Sequence, residues 1–161
     1  MGFEMVMKRV KPTVEDGRRA LCEHAAGRAR LARARYGPEI DMPAMLRLLG
    51  DAEVVRHPVE ICFEAAPLEP GEFAYASPCG ERPHEGFRLF VHPHFEDRPE
   101  ALPLLIAYHL VRINYGVVAT HEHAEIFGAT LLGMTRDEYY ETLCALADEI
   151  AVEQPAPARG R

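Results

Sequence analysis

The feature that most restricts the fold of this chain is a segment that forms a helix apolar on almost every side. Around Ile106, apolar side chains occupy positions 104, 106, 107, 110, 111 and 113. At 100° per residue these positions cover most of the circumference of a helix. The sequence therefore predicts a buried helix that begins between Pro99 and Leu102 and runs to about Tyr115, where Gly116 stops it.

A polar stripe interrupts this apolar helix. Tyr108, Arg112 and Tyr115 fall within about 60° of one another by helix geometry, with His109 just to one side. Polar side chains on a buried helix either meet hydrogen-bond partners in the core or line a cavity. We therefore expect these four residues to line a binding cleft.

Cap and stop residues predict the other helices. Thr13 and Asp41 are candidate N-caps, Gly133 is a candidate stop, and Thr135 with Glu138 forms a capping box. The expected helices are 13–36, 41–49, 120–132 and 135–152.

Between these helices lie short segments typical of strands. Val59, Ile61 and Phe63 alternate with period two, and further strand segments follow at 73–75 and 87–92 between Pro- and Gly-rich loops. The predicted fold class is α+β, with a small antiparallel or mixed sheet of three to four strands packed against about five helices.

The chain length of 161 residues fits one domain. We place it at 13–152, with a flexible N-terminal arm at 1–12 and a flexible Pro-rich tail at 153–161. The sequence has no apolar run of about 18 residues and no signal-peptide pattern. We expect a cytoplasmic protein that does not associate with a membrane.

The net charge of −7 opposes binding to nucleic acid, since nucleic-acid modules present a basic face. A local exception is the first helix, whose arginines form either a solvated face or a contact surface for an acidic partner. These arginines are Arg18, Arg19, Arg28, Arg30, Arg33 and Arg35.

The four cysteines, Cys22, Cys62, Cys79 and Cys144, show no C-x-x-C spacing. This spacing argues against a disulfide framework and against a thiolate zinc site. We expect buried free thiols.

The order of the elements resembles that of the ImmA/IrrE family of zinc metallopeptidases. The resemblance spans about residues 20–134 and includes a helix that reads HEHAEIFGATLLGM from His121 to Met134, where the family has a pattern like E-A-x-x-F-A-x-x-L-L-M. It implies a zincin-like core for the domain at 13–152.

The metal-binding pair of that family is replaced here. In the aligned register, the segment from Ala107 to Arg112 stands where the family has A-H-E-x-x-H, so Tyr108 and Arg112 occupy the two histidine positions and His109 that of the glutamate. Two imidazoles at i and i+4 bind zinc while the glutamate activates water. Because a permanent guanidinium cation repels a metal, we do not expect an active zinc peptidase and assign no catalytic residue.

The histidines leave a second possibility open. His109, His121 and His123 could form a displaced metal site, with Glu122 or Glu125 as base or fourth ligand. The alternative is that they occupy loop and helix-end surface. The cofactor is therefore left undetermined, and zinc is not expected at an ordinary HExxH site.

Three functions follow from these observations. The first is a zincin-like domain without the HExxH pair, a non-peptidase binding or regulatory module that recognises a segment of a protein partner in its cleft. The second is a metal-dependent hydrolase with rearranged histidines. The third is an accessory subunit whose arginine-rich helix meets an acidic partner.

Overall fold

The computed structural model describes residues 13–153, so the predictions of an arm at 1–12 and of a tail at 154–161 lie outside the described residues. Five α-helices and three strands are found in this part of the chain. They are α1 (Val14–Tyr36), α2 (Met42–Leu49), β1 (Val59–Phe63), β2 (Ala74–Pro78), β3 (Phe87–Val91), α3 (Leu102–Tyr115), α4 (His121–Leu132) and α5 (Arg136–Glu153). This arrangement confirms the α+β class.

The sheet is mixed, with the strand order β1-β3-β2. β3 lies in the middle, parallel to β1 with Ile61 opposite Leu89, and antiparallel to β2 with Ala76 opposite Leu89. The two outer strands therefore come first in the sequence, and the third strand lies between them. β2 is an edge strand and ends at Pro78, a residue that sheets tolerate at an edge because it donates no hydrogen bond.

α3 is the buried central helix that its composition predicts. Leu105, Ile106, Ala107, Leu110 and Val111 are fully buried, and the helix contacts the sheet, α2, α4 and α5. No helix within residues 13–153 is both long and apolar enough to cross a bilayer.

A buried amide joins α3 to the loop before β1. Asn114 Nδ2 donates to the carbonyl oxygen of Val54 at 2.9 Å, and its Oδ1 accepts from the backbone N–H of Arg56 at 2.8 Å. The side chain is almost fully buried, so these bonds satisfy polar groups that have no access to water.

α1 packs against α4 through a stripe of small residues. Ala25, Ala29 and Ala32 are fully buried, which explains how a helix with few large apolar side chains is held against the core. Its arginines mostly bond within the chain. Arg35 pairs with Asp51 at 2.8 Å, and Arg33 donates to the carbonyl oxygen of Leu131.

α4 and α5 approach closely at one glycine. A Cβ atom on Gly128 would lie 2.3 Å from the ring of Tyr139, which is fully buried. The Tyr139 hydroxyl donates to the carbonyl oxygen of Leu104 in the first turn of α3 at 2.7 Å. Tyr139 therefore fixes the positions of three helices relative to one another.

The predicted caps of α1, α2 and α5 are confirmed. Thr13 accepts from the N–H of Asp16, Asp41 from that of Ala44, and Thr135 from that of Glu138. The prediction of buried thiols is wrong: Cys79 and Cys144 are exposed, and Cys22 and Cys62 are only partly buried. The helix of α5 also includes residue 153, which was assigned to the tail.

Candidate binding cleft

Two adjacent cavities meet at Tyr108 and His109 on α3. One, which we call the apolar cavity, has a volume of about 320 Å³. The other, the cationic cavity, has a volume of about 360 Å³. Both volumes are in the range of cavities that hold small ligands or single side chains.

Four parts of the chain form the apolar cavity. The segment that leads into β2 supplies Phe73, α4 supplies Glu125, and α5 supplies apolar and aromatic side chains opposite α3. The lining consists of Gly71, Glu72, Phe73, Ala74, Tyr108, His109, Glu125, Tyr140, Leu143, Cys144 and Ala147.

The cationic cavity lies between the second half of α3 and the start of α4. Its lining is Tyr108, His109, Val111, Arg112, Ala119, Thr120, His121 and Ala124. It includes Arg112 and His121 and, among the residues that the structure describes, no carboxylate.

His109 lies where the two cavities meet. Its ring makes edge contacts with the rings of Phe73 and Tyr108, at centroid distances of 5.8 and 5.6 Å. Part of the residue reaches the surface, yet Nε2 is buried and has no hydrogen-bond partner among residues 13–153. Burial, together with the nearby guanidinium of Arg112, lowers the pKa of His109 to about 4. The imidazole is therefore neutral at pH 7 and has one unsatisfied ring nitrogen.

Tyr108 separates the two cavities. Its ring stands edge-on to Phe73 at a centroid distance of 6.0 Å, and the residue is half-buried. Burial raises the pKa of the Tyr108 hydroxyl, and the Glu125 carboxylate raises it further. The hydroxyl therefore stays protonated at neutral pH and can donate a hydrogen bond into the cleft.

Arg112 is exposed at the cationic cavity and forms no ion pair within residues 13–153. Two other arginines of the described residues do form ion pairs, Arg98 with Glu149 at 2.7 Å and Arg136 with Glu125 at 2.9 Å. The positive charge of Arg112 is thus available to a ligand.

Tyr115 does not line either cavity. Its hydroxyl lies 2.6 Å from Nδ1 of His24 on α1, and the guanidinium of Arg28 lies over its ring at 5.4 Å. The angular position on α3 is the predicted one. The residue is seven positions beyond Tyr108, however, which places it about 10 Å further along the helix, where α1 covers it.

The structure does not bring His109, His121 and His123 together. His121 is exposed at the start of α4, whereas His123 is buried on the side that faces α1. His123 Nδ1 accepts from the backbone N–H of Thr120 at 2.9 Å, and Nε2 lies 3.3 Å from the carbonyl oxygen of Arg18.

The described residues therefore do not assemble the displaced metal site, which stays a prediction. Among residues 13–153, no three His, Cys, Asp or Glu side chains form a group suited to a metal ion. The carboxylates considered as base or fourth ligand are paired instead, since Glu125 and Glu122 both approach Arg136, at 2.9 and 3.6 Å.

Sequence reasoning missed the wall of the apolar cavity that faces α3. Phe73 was assigned only to a strand, and Leu143 and Ala147 only to the predicted helix 135–152. Tyr140 and Cys144 lie one turn apart on α5 and both line this wall. An aromatic ring and a thiol beside an apolar stripe widen the apolar face of a helix, and this pattern is visible in the sequence.

No known protein family, curated protein or solved structure matches this chain. The resemblance to the ImmA/IrrE family therefore stays a prediction.

Proposed function

We propose that this chain is a zincin-like domain without the HExxH pair that acts as a non-peptidase binding or regulatory module, and that its cleft recognises an extended segment of a partner protein. The observation that carries the proposal is the meeting of two cavities at Tyr108 and His109, beside the outer edge of β2. The cleft combines apolar walls with a few polar groups, which is the usual composition of a recognition site.

The outer edge of β2 supports the binding of an extended segment. The carbonyl oxygen of Phe73 accepts from His92, and the N–H of Cys79 donates to Gly86, so these two residues direct their backbone groups towards β3. Alternate residues of an antiparallel strand point the opposite way, so Ala74 and Ala76 direct theirs outward. Within residues 13–153, β2 has no second partner strand.

A strand added to this edge would place a side chain in the apolar cavity. Ala74, whose backbone groups point outward, also lines that cavity. Main-chain hydrogen bonds provide affinity in this mode of recognition, and side-chain pockets provide specificity. The cavity is aromatic and aliphatic on most sides, so it favours an apolar side chain of the segment.

Peptidase activity is not part of the proposal. Tyr108 and Arg112 are one turn apart on α3 and both line the cationic cavity, at the positions that the family resemblance gives to zinc ligands. A tyrosine hydroxyl that stays protonated and a guanidinium cannot replace two imidazoles as zinc ligands. The same side chains are good hydrogen-bond donors to a bound segment.

A library of displayed linear peptides tests this proposal. Peptides enriched on the full chain would be titrated by fluorescence anisotropy against the wild type, Ala147→Trp, which fills the apolar cavity, and Ala145→Trp. Ala145 is exposed on the same helix and serves as the matched control. Circular dichroism would check that all three proteins are folded.

We expect the enriched peptides to bind the wild type and Ala145→Trp equally, and Ala147→Trp at least about tenfold more weakly, a change of about 1.4 kcal/mol. Failure to enrich any peptide, or equal binding to both variants, would refute the proposal.

A further inference from the structure

The charge of the cationic cavity contrasts with that of the whole chain. The protein has a net charge of −7, yet this cavity is lined by Arg112 and His121 without a carboxylate from the described residues. The nearest acidic side chains of α4, Glu122 and Glu125, are paired with Arg136. An anionic group in the cavity would therefore meet the Arg112 cation, and no carboxylate from the lining would repel it.

His109 contributes a neutral imidazole to the wall of the cationic cavity. Its Nε2 atom is buried without a partner in a residue that lines the cavity. The atom has almost no accessible surface, so a ligand in the cavity meets other atoms of this side chain and not Nε2.

We propose that the cationic cavity binds a carboxylate of the segment that occupies the apolar cavity, with Arg112 as its partner. This inference rests on the proposed function and defines the chemistry of the bound segment: an apolar side chain next to a carboxylate. The two cavities share Tyr108 and His109, so neighbouring groups of one ligand can reach both.

The guanidinium is well suited to this ligand, because its planar donor fork matches the two oxygens of a carboxylate. The start of α4 lies in the same cavity, with Thr120 as N-cap and His121 as first residue, and the N-terminal end of a helix favours an anion. A single arginine fits the single charge of a carboxylate, whereas phosphorylated segments are usually read by arginine clusters.

The test uses three small probes with the full chain: acetyl-leucyl-leucine with a free carboxylate, its neutral carboxamide, and acetyl-leucyl-aspartate carboxamide. Each would be titrated into labelled protein and followed through the backbone amide NMR signals of residues 108–112 and 119–124. The first and third probes distinguish a chain-terminal carboxylate from an acidic side chain.

We expect at least one carboxylate probe to bind about tenfold more tightly than the neutral carboxamide, as one charge-assisted contact predicts. Arg112→Gln would remove that difference. Arg47→Gln would keep it, since Arg47 is an exposed arginine on α2 and does not line the cavity.

Equal binding of charged and neutral probes, or an unchanged preference in Arg112→Gln, would overturn the carboxylate site. So would a failure of all three probes to bind. Each of these results is compatible with enrichment of neutral segments in the peptide library, so the carboxylate site can fail while the proposed function stands. If the library also yields no binder, both fail.

Discussion

The unpartnered His109 makes a quantitative prediction about stability and pH. Its pKa is about 4 in the folded chain against 6.5 for an ordinary histidine. At pH values between these two, His109 is protonated in the unfolded chain and neutral in the folded chain. The free energy of unfolding must therefore fall as the pH falls from about 6.5 to 4. Below pH 4 both states are protonated and the loss stops growing.

The magnitude follows from the same two pKa values. Between pH 7 and pH 4.5, the difference in proton binding reduces the free energy of unfolding by roughly 2 kcal/mol. This is a large share of the stability of a small domain. His109→Gln removes the titrating group and keeps a polar side chain, so the variant should lack this part of the acid dependence.

The measurement is urea unfolding at a series of pH values for the wild type, His109→Gln and His84→Gln. His84 is exposed in the loop before β3, and its replacement by Gln serves as the matched control. The wild type and His109→Gln share every other titrating group, so the difference between their two curves isolates His109. Parallel curves for the wild type and His109→Gln would refute the buried, neutral state of this ring.

Two further predictions concern packing and hydrogen bonding in the core. Gly128→Ala should lower the free energy of unfolding by about 1–3 kcal/mol, because the added Cβ meets the Tyr139 ring. Gly27→Ala is the control and should be neutral or stabilising, since the nearest neighbour of its Cβ lies at 3.8 Å. Equal effects of the two variants in urea unfolding would contradict this prediction. Asn114→Ala should cost about 2 kcal/mol or more, because it leaves two backbone groups of the 54–56 loop unpaired, and a change below 0.5 kcal/mol would show that those bonds contribute little.

Local patterns were sufficient to predict most of the helices. The burial of α3 follows from apolar positions around its whole circumference, and the starts of α1, α2 and α5 follow from side chains that cap their own helix. The strand order could not be predicted in the same way. Nothing near Phe87 in the sequence indicates that β3 enters between β1 and β2, because that choice depends on contacts between distant segments.

The candidate site was predictable on one wall only. Helix periodicity correctly groups Tyr108, His109 and Arg112, since they belong to one element. The opposite wall comes from the segment before β2 and from α5, which only the folded chain brings near. Helix geometry also separates His121 from His123: residues two apart on a helix point about 200° from each other, so these rings face different sides once α4 begins at His121.

His109 connects the acid dependence with the proposed binding site. An apolar side chain at this position of α3 would avoid both the unsatisfied Nε2 atom and the lowered pKa, and would continue the apolar surface that surrounds it. Departures from local consistency of this kind are expected where a protein binds something. A carboxylate held by Arg112 would be near enough to the ring to favour its protonated form, so bound ligand should raise the pKa of His109. Binding of the free-carboxylate probe should therefore weaken the acid dependence of the free energy of unfolding. An unchanged pH profile in the presence of saturating probe would show that the bound ligand does not change the pKa of His109.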